Sequence, residues 1–169
     1  MSGNITLVGF SGAGKSVLGK KISAATGKDF VDLDTAIEER FRTSVELLFA
    51  KYGEYGFRKC EAQVLREALA MDNRVVATGG GAPCSHEAMQ HINSHSTSIF
   101  LELPEDVLFK NLRTSKKRRP LTDNMTDTQL REYIHATLEK RLPYYNMAHF
   151  TLHSDNGDFQ VLKALELLG

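Results

Sequence analysis

Apolar positions along the chain follow two rhythms: short consecutive runs, and longer stretches in which they recur every three or four residues. Asn4-Ile5-Thr6-Leu7-Val8 reads as a buried strand with glycines directly after it. Lys15 to Thr26 reads as a helix, with Leu18, Ile22 and Ala25 on one face and Gly27 as its stop. Phe30-Val31-Asp32 is a very short second strand, and Thr43-Ser44-Val45-Glu46 has the capping-box spacing that opens a short helix. Glu54 to Ala70 carries Phe57, Glu61, Val64, Leu65 and Ala68 at helical spacing. Arg74 to Thr78 is a third strand running into three glycines, and Ser98 to Leu101 a fourth. Pro104 suits the first turn of the helix after it. Thr126 to Leu142 is a helix opened by a second capping-box spacing, Thr126 to Gln129, and Pro143 is expected to end or kink it. Phe150-Thr151-Leu152 is a last strand, and Asp158 to Leu168 a closing helix.

Strands that alternate with helices imply βαβ units. The expected fold is α/β: a three-layer α/β/α sandwich around a central, five-stranded parallel sheet. Neither a repeat nor a Pro/Gly/Ser linker divides the chain, so 1–169 reads as one domain. Parallel sheets bind ligands beyond the carboxyl ends of their strands. Three such ends are polar or glycine-rich: Gly9 to Ser16, Asp32-Leu33-Asp34 and Gly79-Gly80-Gly81.

Composition narrows the class. With 169 residues, 41% of them hydrophobic and 25% charged, the chain has ordinary globular usage. No apolar run approaches the roughly 20 residues of a membrane span. The start lacks a basic n-region and an apolar h-region, so no secretory signal is expected. Two cysteines, Cys60 and Cys84, make no disulfide scaffold and suit a reducing cytoplasm. The net charge is zero, but five of the 21 basic residues fall within 113–119, leaving a mildly acidic remainder. That pattern fits a protein that draws a small anion to one rim better than one coated by polyanion.

Gly9-x4-Gly14-Lys15-Ser16, between a strand and a helix, is a phosphate loop. Backbone N–H groups and the helix dipole would hold phosphate oxygens, Lys15 would reach the β and γ phosphates, and the Ser16 hydroxyl would ligate Mg²⁺. The base reader and switch motif of GTPases are absent, as is the catalytic set of protein kinases. Asp32 and Asp34, two apart at a strand end, are expected to face the same side, one toward the metal and one toward an attacking hydroxyl. Arg58 can clamp a carboxylate, with Glu61 one helical turn on to hold it; the same spacing also describes an ordinary exposed pair. Arg141, in Lys140-Arg141-Leu142-Pro143-Tyr144-Tyr145, is unremarkable by itself near a helix end. Three consecutive glycines exceed what a turn needs and point to backbone lying close to a ligand. The basic run Arg113 to Arg119 reads as a lid that brings an arginine to the transferring phosphoryl group. The residues alone leave open a P-loop binding module that engages nucleic acid through that run. His91 and His95 are four apart, but no carboxylate or cysteine completes a metal set. Cys60, Tyr144 and Tyr145 read as packing residues.

These motifs, in this order and together with Arg119-Pro120-Leu121 and Arg141-Leu142-Pro143-Tyr144-Tyr145, resemble the shikimate kinases, P-loop enzymes of the nucleoside-monophosphate-kinase-like fold. The resemblance runs from Asn4 to about Phe150. It implies ATP and shikimate as substrates and 3-phosphoshikimate and ADP as products, in chorismate and aromatic amino acid biosynthesis. It implies ATP contacts at Gly12, Ala13, Gly14, Lys15, Ser16 and Val17, with Mg²⁺ on Ser16 and, through water, Asp32. Asp34 would bind the shikimate hydroxyls and accept the proton. Arg58 and Arg141 would hold the carboxylate, and Gly79, Gly80 and Gly81 would meet a ring hydroxyl. Arg119 would be the catalytic lid arginine beside Lys15 and Asp34, and Arg113 would stack near adenine; Arg118, next to Arg119, competes for the phosphate role. The acceptor-binding segment would span 33–61 and the lid 113–124, in a cytoplasmic monomer with no nucleic-acid or membrane partner. Another kinase of the same fold, such as a gluconate kinase, would use similar groups.

Overall fold

The computed structural model describes residues 3–117, 119 and 121–169; Arg118 and Pro120 of the basic run lie outside the described residues. Among these, five strands alternate with seven helices: β1 (Asn4–Val8), α1 (Lys15–Thr26), β2 (Asp29–Asp32), α2 (Leu33–Phe41), α3 (Val45–Leu69), β3 (Arg74–Ala77), α4 (His86–His95), β4 (Ser96–Glu102), α5 (Glu105–Thr114), α6 (Asp127–Tyr145), β5 (Phe150–His153) and α7 (Val161–Leu168). The strands form one parallel sheet in the order β2-β3-β1-β4-β5. This is the expected three-layer sandwich.

Alternation along the strands assigns the two faces. Ile5, Leu7, Val75, Ile99 and Leu101 join one core with Leu18 and Ile22 of α1, Leu108 of α5 and Ile134 of α6. Val8, Val76 and Phe100 point the other way, against Leu33 and Ile37 of α2, Val64 and Leu65 of α3, and Met89 and Ile92 of α4. Among the described residues no helix is long and apolar enough to cross a membrane.

Local chemistry sets the boundaries, and several differ from expectation. Ser44, not Thr43, caps α3, its side chain accepting from the Leu47 N–H. The short and long helices expected around residue 53 are one run broken at Gly53, whose φ of 68° and ψ of −178° no helix accommodates. Pro104 is the N-cap residue of α5, one position before the helix. Pro143 does not end α6, which continues to Tyr145; the buried Tyr145 ring stacked on Phe100 holds that last turn. The Thr126–Gln129 capping box is present in full. The closing helix begins at Val161, three residues later than the periodicity suggests. Helices α2 and α4 carry too few apolar residues for periodicity to show: two buried positions each.

Asn4 fastens the amino end of the sheet. It is 1% exposed, its Nδ2 donates to the carbonyls of Leu69 and Met71 at 3.2 and 2.8 Å, and its Oδ1 accepts from the Arg74 N–H at 3.0 Å. Asn4→Ala strands these backbone groups in the interior. The expected loss of stability is about 2–3 kcal/mol by urea denaturation; a loss below about 0.5 kcal/mol would show that the contacts do not matter.

Candidate active site

The carboxyl ends of β1, β2 and β3 deliver their loops to one cavity of about 730 Å³. The phosphate loop forms one end. Gly9 leaves β1 at φ 148°, and a Cβ there would lie 2.8 Å from the Leu101 carbonyl oxygen, so the residue needs both the conformation and the space of glycine. Gly14, at φ 91°, starts α1. The Lys15 ammonium is buried and donates to the carbonyls of Gly9 and Phe10, both at 2.7 Å. Asn111, from α5, donates to the Gly12 carbonyl at 2.9 Å and braces the loop from behind.

Burial pulls the Lys15 ammonium down to about 7 from its ordinary 10.5. Asp34 opposes this, while Arg141, Lys117 and Arg119 add to it.

Beside the loop, Ser16 Oγ donates to Asp32 Oδ2 at 2.5 Å, and Asp32 Oδ1 accepts from the Thr35 N–H at 3.2 Å as the cap of α2. A hydroxyl and a carboxylate in contact at a phosphate loop are hard oxygen donors of the kind Mg²⁺ takes, together with waters and phosphate oxygens. Among the described residues no three His, Cys, Asp or Glu side chains are grouped to hold a metal ion; His91 and His95 stack on each other at 4.1 Å.

The other end of the cavity gathers Asp34, Arg58, Gly79, Gly80, Gly81 and Arg141. The strand-spacing argument for the two aspartates fails: β2 ends at Asp32, and Asp34 is the second residue of α2. A helical turn, not a shared strand face, brings Asp34 to the cavity. Arg58 pairs with Glu61 at 2.7 Å and with Glu54 at 3.4 Å. Glu61 is 2% exposed, and burial pushes its carboxyl up while Arg58 works against the shift. Arg141, four residues before the end of α6, places its guanidinium 5.4 Å from the centre of the Phe10 ring.

The glycines are explained by these arginines. A Cβ on Gly81 would come within 2.3 Å of Arg58 Nη2, and one on Gly80 within 2.9 Å of Arg141 Nη1 and 2.8 Å of Ser11 Oγ. Bare backbone lets both guanidinium groups lie against it. The strip is anchored from below by the buried Tyr145 hydroxyl, which donates to the Gly80 carbonyl at 2.6 Å, while Cys84 Sγ donates to the same oxygen at 3.4 Å. Burial drives the Tyr145 hydroxyl well above its ordinary value, so it stays a donor at every physiological pH. Periodicity marks Tyr145 only as packing; its second role depends on β3 and α6 meeting.

Ser115, Lys117 and Arg119 of the basic run, and Leu121 just after it, also line the cavity. Arg119 Nη1 donates to Ser115 Oγ at 2.8 Å and to the Lys117 carbonyl at 3.2 Å. Lys117 Nζ reaches Asp34 Oδ2 at 2.7 Å, a contact the sequence reading did not include. Arg113 is turned away: it pairs with Asp127 at 2.8 Å, donates to the Met125 carbonyl at 2.6 Å, and does not line the cavity. Gly12, Gly14, Lys15, Ser16 and Val17 line the cavity, whereas Ala13 is buried beneath the loop.

A family model described as shikimate kinase matches residues 11–166. The chain belongs to the shikimate kinase family. It is 42% identical over 151 residues to the shikimate kinase of Bacteroides thetaiotaomicron, covering 89% of this chain and 86% of that relative. A crystal structure of shikimate kinase from B. thetaiotaomicron superposes with a TM-score of 0.92, at 38% identity and covering 99% of both chains. A shikimate kinase from Acinetobacter baumannii, solved in complex with shikimate, gives a TM-score of 0.89 at 29% identity, covering 98% of this chain and 92% of that one. Family membership makes the chain a small-molecule kinase.

Lys15 yields a pH dependence whose sign follows from its depressed value. Nucleotide phosphate stabilises the charged ammonium, so binding takes up a proton, and affinity falls as pH rises above about 7. Calorimetry of ADP binding in buffers of different ionisation enthalpy, over roughly pH 7.5–9 where ADP itself is fully ionised, is expected to show net proton uptake. Binding that is pH-independent and proton-neutral over that range would mean that Lys15 is already charged in the free protein.

Proposed function

We propose that this chain transfers the γ-phosphoryl group of ATP to the 3-hydroxyl of shikimate, releasing ADP and 3-phosphoshikimate. The observation that carries the reading is the shared cavity: a phosphate loop at one end and, at the other, a carboxylate-binding pair of arginines next to an aspartate. Shikimate is a small anionic triol, and its two kinds of polar group find matching partners there. Arg58 and Arg141 supply the charge for its carboxylate, and Asp34 and the Gly79–Gly81 backbone supply partners for its hydroxyls. The buried Glu61 fixes the Arg58 guanidinium before substrate arrives, which lowers the ordering cost of binding.

In the transfer step the acceptor oxygen forms its bond to the γ-phosphorus as the bond to the ADP oxygen breaks. The hydroxyl proton passes to Asp34 Oδ. Lys15 and the loop N–H groups hold the phosphate oxygens, and Arg119 approaches from the lid over 113–124. Mg²⁺ held by Ser16 and, through water, Asp32 would neutralise charge on the β and γ phosphates. Residues 33–61 form the acceptor-binding segment. Arg113 serves the adenine side by leaving Asp127, with which it pairs at 2.8 Å.

A coupled assay of ADP release tests the reading: turnover should depend on shikimate, and gluconate should not replace it. Asp34→Asn is expected to lower kcat by about 10²–10⁴ while ATP binding persists; near-normal turnover would remove Asp34 as proton acceptor. Arg58→Ala is expected to raise the KM for shikimate about 10- to 100-fold with a smaller change in kcat. Unchanged kinetics would remove Arg58 from the acceptor site.

A further inference from the structure

Lys117 lines the cavity from the basic run. It bonds to Asp34 at 2.7 Å although its side chain is 53% exposed. Exposed ion pairs are worth little as stabilising contacts, so fold stability is a poor explanation for one that joins a lid to a catalytic carboxylate. The lid itself presents Lys117: Ser115 Oγ accepts from the Lys117 N–H at 3.2 Å, and Arg119 Nη1 donates to the Lys117 carbonyl at 3.2 Å. Lys15 feels the charges of both Asp34 and Lys117, and both residues line the cavity that holds the phosphate loop.

The transferred group would pass through this same cavity. The proposed reaction brings a γ-phosphoryl group carrying negative charge up to an acceptor hydroxyl held by an ionised aspartate. Two anions must approach closely, and their repulsion opposes the step unless a cation sits between them. Arg119 has its Nη1 committed to bracing the loop. Lys117 has three donors on a flexible stem, and among the described residues its ammonium has one hydrogen-bond partner, Asp34.

We propose that Lys117 is a second catalytic cation of the lid, bridging Asp34 and the γ-phosphoryl oxygens during transfer. This rests on the kinase reading given above. When ATP enters, one N–H of Lys117 stays on Asp34 and another turns to the γ phosphate. Its charge thereby screens the carboxylate from the phosphate.

The test compares wild type with Lys117→Met and Lys117→Arg, with thermal melts to confirm unchanged folding. In the shikimate-dependent assay Lys117→Met is expected to lose about 10- to 100-fold in kcat, less than removal of a buried oxyanion donor costs in general. Its KM for shikimate should stay the same or fall, because Asp34 is relieved of a competitor. Lys117→Arg should recover part of the loss. Binding of a non-hydrolysable β,γ-imido analogue of ATP should weaken about tenfold in Lys117→Met, while ADP affinity stays unchanged, since only the γ phosphate is contacted. An unchanged kcat, or equal weakening of analogue and ADP, would overturn the proposal. If wild type itself gave no shikimate-dependent ADP, the kinase reading would fall, and the analogue-to-ADP ratio would still decide whether Lys117 meets a γ phosphate.

Discussion

β1 is hydrogen-bonded on both sides, by β3 and β4, and all three strands run in the same direction. That constraint places the chain that leaves each strand along one rim. The phosphate loop follows β1, the glycine strip follows β3, and the two are stitched together where Thr78 donates both its N–H and its hydroxyl to the Leu7 carbonyl, at 3.2 and 3.0 Å. Asp32 closes β2 on the far side of β3. The distance between donor phosphate and acceptor is thus set by strand pairing, the stiffest part of the molecule, rather than by loops.

Onto this rim the helices deliver charge. Arg58 and Glu61 come from α3, Arg141 from α6, Asp34 from α2 and Lys117 from the segment after α5. The described cavity wall carries five cations, Lys15, Arg58, Lys117, Arg119 and Arg141, against five carboxylates, and burial makes Lys15 lose its proton more readily than an exposed lysine. The neutral total charge of the chain therefore conceals a strongly charged rim of both signs.

Much of this was legible in the sequence, and for identifiable reasons. β1 and α1 carry strong periodicity and an unambiguous stop at Gly27, and they lie where the pattern puts them. Helix α2 was hidden because only Leu33 and Ile37 mark its buried face, and its first turn overlaps the Asp-Leu-Asp that reads as a strand end. Asp34 was found by its chemistry although its geometry was misjudged. The convergence of Arg58 and Arg141 could not be read from spacing, since 82 residues of intervening fold decide it; the family motif stood in for that knowledge. The hydroxyl of Tyr145, the brace from Asn111 and the Lys117 contact left no local pattern, because each joins segments brought together only by the sheet.

The break at Gly53 divides the acceptor wall into two parts. Residues before it, such as Val45 and Phe49, and residues after it, such as Phe57 and Arg58, face the same cavity from helical segments that do not share a continuous backbone ladder. What couples the two segments is side-chain packing: Phe49 stacks on Phe57 at 4.3 Å, and the Phe57 ring lies 5.5 Å from the Arg58 guanidinium. A change of shape in the first segment therefore reaches the carboxylate anchor through one aromatic pair rather than through the backbone.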